Sequence, residues 1–242
     1  MCYTIEQLEK RQEKIAKRYK AILVPNLQLN LFHSVSGFLF PKLIVVNNEG
    51  GRKIENMNWG LIPSWASDKV KANELKEYGL NAKSETVFER PMFKCVSKRR
   101  CIVPVNGFYE WREFRSKKYP YYIYPSDGTI FSFGCIWDEW INKETGEAIR
   151  TFSIVTTPAN ELMGQIHNIK KRMPFILSEE DEGIWLDASA DKEKLKDLMK
   201  PSSNSILKAQ TISKLITSRS ADRNVEEVKA EFDHGIPELI LQ

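Results

Sequence analysis

The chain has 242 residues, 42% of them hydrophobic and 28% charged, which is the composition of a soluble globular protein with a full hydrophobic core. No stretch approaches about 18 consecutive apolar residues, and no basic segment leads into an apolar one near the N-terminus, so we expect neither a membrane-spanning helix nor a secretory signal. The net charge of +4 suits nucleic-acid binding only if the cations lie on one face. The basic runs at 94–101 and 170–172 are candidates for such a face, with solvated loop charge as the alternative for each.

No Pro-, Gly- or Ser-rich linker divides the sequence, so we expect one domain over residues 1–242. The four cysteines, at positions 2, 95, 101 and 135, show neither C-x-x-C spacing nor a His/Cys ligand pattern. This argues against a zinc site and against a disulfide framework. We therefore expect no metal and no cofactor, and a cytoplasmic location.

The first motif in the chain is Met1-Cys2. A residue as small as cysteine permits removal of the initiator methionine, so we expect Cys2 to become N-terminal. Its α-amine and thiol, with ordinary pKa values of about 8 and about 8.5, would then lie on adjacent carbons. The amine of such a 1,2-aminothiol captures an aldehyde as a Schiff base, and the thiol then closes a thiazolidine ring. The alternative is an inert buried cysteine, the usual role of a free thiol.

The next segments predict a helix followed by strands. Thr4 and Gln7 have the spacing of a capping box, and apolar residues then recur at helical spacing, so a helix is predicted to begin at Thr4. Between residues 27 and 57 the pattern is strand-like. The sequence Glu49-Gly50-Gly51 predicts a hairpin turn between two of these strands.

Residues 59–66 read WGLIPSWA, and their two tryptophans are either core residues or a platform for unstacked bases. The segment 84–93 predicts a short helix broken by a proline. Its N-terminus would lie close to a lysine and two polar side chains, at a place where anions bind well. These three residues are Asn81, Lys83 and Glu85.

Residues 99–113 read RRCIVPVNGFYEWRE and predict two strands joined by a turn at Asn106-Gly107. Glu110 is the carboxylate inside an aromatic run. If it points inward, it should be paired or have a raised pKa suited to proton transfer. If it points outward, it only aids solubility, and periodicity alone favours this second reading.

The rest of the chain alternates short strands and helices. Residues 119–140 predict a hairpin with its turn at 126–128, and a second turn is predicted at 143–146. Strands this rich in aromatic and β-branched residues are typical of an antiparallel barrel or sandwich. A helix is predicted from about residue 160 to His167, which is followed by a basic run; a structural histidine is the alternative to a catalytic one. Ser178 and Asp191 are predicted to cap two later helices, and 206–213 to form a strand.

Four elements together resemble the SRAP (SOS response-associated peptidase) family, whose members process abasic sites in DNA. They are Met1-Cys2, the pair WGLIPSWA and NAKSET, the segment RRCIVPVNGFYEW, and His167 followed by Arg-Met-Pro. The similarity extends from Cys2 to about Leu177. It implies an α+β fold: a single domain with a curved, barrel-like, mainly antiparallel sheet and peripheral helices.

The resemblance implies a catalytic set of four residues. Cys2 is the crosslinking nucleophile, and Asn81 positions the sugar. Glu110 is the active-site carboxylate, and His167 handles protons on the deoxyribose. Their combined action would open the abasic sugar, capture its aldehyde and form a thiazolidine.

The resemblance also implies a DNA-binding set. Lys83 falls where relatives commonly carry an arginine that contacts phosphate, and Arg172 matches the arginine of the Arg-Met-Pro segment. Trp65 and Met92 fall on stretches that line the DNA path. The sequence departs from the family at Tyr3, where relatives often have glycine followed by arginine, and in the four residues between His167 and Arg172, where some relatives have one.

The expected function is covalent crosslinking of abasic sites in single-stranded DNA, with weak lyase and autoprocessing peptidase activities as side reactions. We expect a cytoplasmic monomer, associated with the nucleoid during repair, that does not bind membranes. One alternative is an N-terminal-nucleophile hydrolase in which Asn81 serves the oxyanion hole. Another is a single-stranded DNA-binding module in which Cys2 is inert.

Overall fold

The computed structural model of the protein describes residues 2–241, and in this part fourteen strands combine with five α-helices. The strands are β1 (Thr4–Gln7), β2 (Ile22–Leu23), β3 (Phe32–Ser36), β4 (Lys42–Asn47), β5 (Lys53–Trp59), β6 (Asn81–Lys83), β7 (Arg100–Val105), β8 (Gly107–Phe114), β9 (Lys117–Pro125), β10 (Phe131–Ile141), β11 (Ala148–Pro158), β12 (Arg172–Pro174), β13 (Ile176–Leu177) and β14 (Leu207–Thr211). The helices are α1 (Gln12–Tyr19), α2 (Lys69–Tyr78), α3 (Glu161–Ile166), α4 (Glu179–Leu186) and α5 (Lys192–Leu198).

The strands form two mainly antiparallel sheets. The first has the order β14-β9-β8-β1-β3, and the second has the order β12-β11-β10-β7-β4-β5-β2. In the second sheet, β11 also pairs in parallel with β5, and this closes β11, β10, β7, β4 and β5 into a barrel. The α+β fold with a curved, barrel-like sheet and peripheral helices is thus confirmed.

The main core lies between the two sheets and consists of alternate side chains from their facing strands. Ile5, Phe108 and Ile123 contribute from the first sheet, and Phe133 and Phe152 from the second. Phe108 meets Phe133 edge to face, with ring centroids 5.6 Å apart, a favourable arrangement for aromatic quadrupoles. Cys2 belongs to the same cluster, so the N-terminal segment enters the core.

The helix predicted to begin at Thr4 is wrong: Thr4–Gln7 is strand β1, and the first helix begins only at Gln12. Both edges of β1 are occupied, because it pairs with β3 on one side and β8 on the other. The Gln7 side chain, expected to complete a capping box, instead bonds to the backbone of Ile44 and Pro104. Tertiary pairing outweighs the local helical pattern here.

The helix predicted over 84–93 is also wrong. Asn81–Lys83 is strand β6, parallel to β11, and turns follow it before a 3-10 helix begins at Pro91. Proline at the first position of this 3-10 helix is the placement that a missing N–H allows. Asn81, Lys83 and Glu85 therefore do not gather at a helix N-terminus.

The hairpin predicted over 119–140 does not form, because β9 belongs to the first sheet and β10 to the second. The actual hairpin of this region joins β8 to β9. Its turn residues, Arg115 and Ser116, have φ angles of 48° and 61°, which are typical of a two-residue type I′ turn. The predicted turns at 49–51 and 143–146, the caps Ser178 and Asp191, and strand β14 are confirmed.

The C-terminal segment covers the outer face of the first sheet. Val228 is fully buried there against Tyr109 and Tyr122, and Lys229 forms an ion pair of 2.7 Å with the buried carboxylate of Glu6 on β1. Both faces of this sheet are therefore buried. No helix in the described part of the chain has the length and apolar character required to cross a bilayer.

Candidate active site

Cys2 lies two residues before the start of β1 and is fully buried. Two hydrogen bonds fix the backbone at Cys2 and at the next residue: Asn81 Nδ2 donates to the Cys2 carbonyl at 3.0 Å, and Gly37 N donates to the Tyr3 carbonyl at 2.8 Å. Burial, and then the charge of Glu110, raise the pKa of the Cys2 thiol well above its usual value. The thiol is therefore protonated at neutral pH. The predicted removal of Met1 lies outside the described residues.

Asn81 reaches Cys2 from the second sheet, because β6 runs beside β11 and pairs Asn81 with Ile154. Its amide nitrogen is engaged by the Cys2 carbonyl, whereas its buried Oδ1 accepts no hydrogen bond from any residue in 2–241. A buried amide oxygen without a donor is costly. This oxygen is placed to accept a hydrogen bond from a ligand hydroxyl.

Glu110 points inward from β8 and is only 3% exposed. The outward orientation that periodicity favoured is wrong, because the neighbouring Tyr109 faces the outer surface of the sheet, where the C-terminal segment buries it as well. Burial raises the pKa of Glu110 to about 7, against a weaker lowering influence of the Lys170 ammonium. At neutral pH this carboxyl exchanges protons readily in either direction.

His167 ends helix α3, and its ring is fixed by the strand that follows. The ring atom Nδ1 lies 2.9 Å from the carbonyl oxygen and 3.1 Å from the amide nitrogen of Arg172. The other ring nitrogen, Nε2, lies 4.0 Å from Glu110 Oε2. Burial lowers the pKa of His167 to about 4, so the imidazole is neutral at physiological pH.

Glu110 and His167 line one cavity of about 530 Å³. Tyr3, Trp111 and Ile169 form apolar parts of its wall. The cavity is large enough for a sugar with a neighbouring phosphate, and Tyr3, the residue that follows Cys2, is part of its lining. The structure thus brings all four predicted catalytic residues, Cys2, Asn81, Glu110 and His167, to one region between the two sheets.

Trp65 and Met92, two of the predicted DNA-binding residues, meet at a second, shallower cavity of about 290 Å³. The indole nitrogen of Trp65 donates to the Pro91 carbonyl at 3.3 Å, yet 52% of the residue is exposed. Lys94 and Lys98 border the same cavity, so the basic run at 94–101 does contribute cations to it. An exposed indole beside ammonium groups has the composition of a surface that stacks bases and attracts phosphates.

The other two predicted DNA-binding residues lie near each other but differ in their surroundings. Lys83 is exposed at the end of β6. Arg172 is mostly buried, and its guanidinium contacts both carboxylate oxygens of Glu85 and the carbonyl of Thr156. A phosphate contact by Arg172 stays a prediction, and it would require exchange of the Glu85 contact.

Sequence reasoning missed several residues at the main cavity. Tyr3 was noted only as a departure from the family pattern, although it lines the cavity with Glu110. Lys118 and Lys214 border the same space but lie far apart in sequence, so no local motif links them. Among the described residues, no group of three or more His, Cys, Asp or Glu side chains is arranged to hold a metal ion.

Comparison with known proteins places these features in context. A family model described as SOS response associated peptidase (SRAP) matches residues 1–219. The abasic site processing protein YoqW of Bacillus subtilis (strain 168) is 35% identical over 179 residues, which cover 73% of this chain and 76% of YoqW. The abasic site processing protein YoaM of the same organism is 34% identical over 180 residues, which cover 73% of this chain and 75% of YoaM.

A similar structure has also been solved. The crystal structure of a protein from Bacteroides thetaiotaomicron superposes on this chain with a TM-score of 0.87. The two proteins are 34% identical, and the superposition covers 96% of this chain and 100% of that chain. The sheet arrangement that carries Cys2, Asn81, Glu110 and His167 therefore belongs to a fold known from experiment.

Proposed function

The chain belongs to the SOS response associated peptidase (SRAP) family, and on that premise we propose that it processes abasic sites in single-stranded DNA by linking them covalently to Cys2. Relatives named abasic site processing proteins support the substrate class. The observation that carries the covalent step is the convergence of Cys2, Glu110 and His167 on one region. There a buried carboxyl with a pKa of about 7 lies beside a neutral imidazole.

The first step is opening of the abasic sugar. An abasic deoxyribose is a hemiacetal in equilibrium with an open aldehyde, and opening moves a proton from the C1′ hydroxyl to the ring oxygen. Neutral His167 accepts the proton of the C1′ hydroxyl and then delivers a proton to the ring oxygen. The orphan Oδ1 of Asn81 accepts a hydrogen bond from a sugar hydroxyl, which orients C1′ towards Cys2.

The second step joins protein and DNA. After removal of Met1, the α-amine of Cys2 attacks C1′ and gives a carbinolamine, which loses water to form an imine. The thiol then adds across the C=N bond, and its proton ends on the nitrogen of the thiazolidine. Glu110 accepts the amine proton and delivers a proton to the departing hydroxyl. The amine reacts first, because its imine supplies the C=N bond across which the thiol adds.

Two side reactions follow from the same groups. The imine acidifies the neighbouring C2′ hydrogen, so strand cleavage by β-elimination competes with ring closure and gives a weak lyase activity. Removal of Met1 by the protein itself would be the peptidase activity. The external-amide hydrolase alternative has less support, because the amide nitrogen of Asn81 is already engaged by the Cys2 carbonyl.

The test uses Met1-processed protein, checked by intact mass, and a single-stranded oligonucleotide with one abasic site. We expect a heat-stable complex on a denaturing gel whose mass equals protein plus oligonucleotide minus one water. Cys2→Ser retains the amine, so it should form only an imine that borohydride can trap. Cys2→Ala should behave likewise. An undamaged oligonucleotide is the control.

The possible outcomes separate the alternatives. A wild-type adduct that survives heat without borohydride, together with its loss in Cys2→Ser, supports the thiazolidine. Binding without any adduct, although Cys2 is N-terminal, would leave the non-covalent DNA-binding alternative. An adduct of equal heat stability in Cys2→Ser would contradict the role of the thiol.

A further inference from the structure

Three lysines from separate parts of the chain border the cavity that holds Glu110 and His167. Lys118 is the second residue of strand β9, Lys170 lies in the loop between α3 and β12, and Lys214 begins a 3-10 helix near the C-terminus. All three side chains are exposed. Their convergence depends on the tertiary fold, because any two of them are at least 44 positions apart in the sequence.

Local structure fixes the segments that carry these lysines. The side chain of Asn168 accepts from the backbone N–H of Glu113 at 3.0 Å and donates to its carbonyl at 2.8 Å, which ties the loop of Lys170 to β8. Lys118 lies opposite Glu113 in the β8–β9 hairpin. The Lys214 ammonium lies 5.6 Å from the Tyr119 ring centroid.

Lys118, Lys170 and Lys214 form a lysine rim around the cavity, and its positive charge is largely uncompensated. Across the described chain, none of the three ammonium groups lies within salt-bridge distance of a carboxylate. Two carboxylates line the cavity, those of Glu110 and Glu113, and Glu110 is buried. Three cations therefore face two acids, one of which is the buried acid assigned to proton transfer. Such a rim attracts an anion.

We propose that Lys118, Lys170 and Lys214 form a binding site for the phosphodiester groups that flank the abasic sugar on one side. This rests on the proposed function and extends it, because it assigns a path for the strand beyond the catalytic residues. The strand enters past Trp65 and Lys83, places its sugar at Cys2, and leaves across the lysine rim. Contacts of this kind add affinity independently of sequence and strengthen at low salt.

The experiment measures non-covalent binding, so it does not depend on the crosslink. A Cys2→Ala background and an oligonucleotide with a stable abasic analogue are used at several salt concentrations. The triple variant Lys118→Gln, Lys170→Gln and Lys214→Gln is compared with a control that removes the same charge elsewhere. The control replaces Lys10, Lys17 and Lys20, three exposed lysines on and next to α1, with glutamine.

We expect the rim variant to bind at least about tenfold more weakly at low salt. The salt slope, which is the slope of log affinity against log salt concentration, should fall in magnitude by about 2, since each phosphate contact to single-stranded DNA contributes about 0.7. The control should keep the parental slope. Two further oligonucleotides carry the abasic analogue at the 5′ end or at the 3′ end. The difference in affinity between the rim variant and its parent should vanish with one of these two oligonucleotides and persist with the other. A rim variant with the control's slope, or an equal effect with both ends, would overturn the proposal.

This readout separates the two proposals. If wild type crosslinks abasic DNA but the rim variant retains the parental slope, only the phosphate site fails. If the slope falls as expected but wild type forms no covalent adduct, the rim stands and the covalent function fails.

Discussion

Glu110 Oε2 lies 4.0 Å from His167 Nε2, and burial shifts the pKa values of the two groups in opposite directions. The carboxyl rises to about 7 and the imidazole falls to about 4. The usual order of acid strength is thereby inverted. Between these two values both groups are neutral, so this pair holds a proton on the carboxyl and keeps the imidazole available as a base.

The stability of the protein should depend on the charge of Glu110. The pKa of this carboxyl is about 7 in the folded state and about 4.5 in the unfolded state. The free energy of unfolding therefore falls as pH rises from about 4.5 to about 7, and the loss is complete above about 7. Glu110→Gln should therefore be more stable than wild type at pH 8, by at most about 3 kcal/mol. Urea denaturation at pH 5 and pH 8 measures this, and a gain of equal size at both would refute the buried charge as its cause.

The rate of crosslinking should rise as Glu110 loses its proton. In a plot of crosslinking rate against pH, we expect a first rising limb near pH 7, caused by the carboxyl. A second rising limb should follow near the ordinary pKa of an α-amine, about 8. Glu110→Gln should remove the first limb, retain the second, and slow the reaction by about 100-fold or more. Single-turnover rates from pH 5 to pH 9 provide the measurement. An unchanged first limb in Glu110→Gln would assign it to another group.

Asn81 should matter for the reaction more than for binding. Its amide nitrogen positions the Cys2 carbonyl at 3.0 Å, so Asn81→Ala frees the reactive end of the chain. We expect crosslinking to slow by about tenfold or more, which corresponds to the loss of one buried hydrogen bond. Affinity for a stable abasic analogue should change little. A parallel fall in affinity and rate would place Asn81 in ground-state binding instead.

Lys83 and Arg172 should respond differently to substitution. Exposed Lys83 is free to meet a phosphate, so Lys83→Gln should weaken DNA binding and lower the salt slope by about 0.7. Arg172 is held by Glu85 and Thr156, so Arg172→Gln should mainly lower thermal stability. Salt titrations and melting curves of both variants distinguish these effects. If Arg172→Gln alone changes the slope, the phosphate contact belongs to Arg172.

The ion pair between Glu6 and Lys229 should stabilise β1. Glu6 is 1% exposed and also accepts from the hydroxyl of Tyr122, so Lys229→Met leaves a buried carboxylate with too little compensation. We expect a loss of about 3 kcal/mol. Glu6→Gln combined with Lys229→Met should recover part of it. A double variant that is no better than Lys229→Met alone would show that the loss comes from packing.

The extent to which the sequence predicts this molecule differs between the fold and the site. Turns and caps were predictable, because Gly50-Gly51 and Ser178 impose their structure locally. Strand β1 was not predictable, since Thr4–Gln7 takes its strand conformation from partners about 30 and about 100 residues away. The orientation of Glu110 was hidden for a related reason. Periodicity assumes one solvated face, and the C-terminal segment buries that face here.

The candidate catalytic residues were identified from the family resemblance, and the geometry adds what the resemblance could not. No pattern in the sequence gives the distance between Glu110 and His167 or the direction of their pKa shifts, because both depend on burial between sheets. The lysine rim lay beyond sequence reasoning altogether. Only Lys170 belongs to a recognisable basic run, and its companions come from β9 and the C-terminal region.

The interior position of β1 in its sheet has a consequence for when the protein becomes reactive. Cys2 is made early in translation, but its strand is completed only by β8, its carbonyl is held by Asn81, and His167 comes later still. The ion pair that fixes Glu6 awaits Lys229, near the end of synthesis. An unfinished chain thus lacks the groups that surround Cys2 in the folded protein. Under the proposed function, competence to attack DNA is acquired only with the completed fold, and covalent capture then reports on folding.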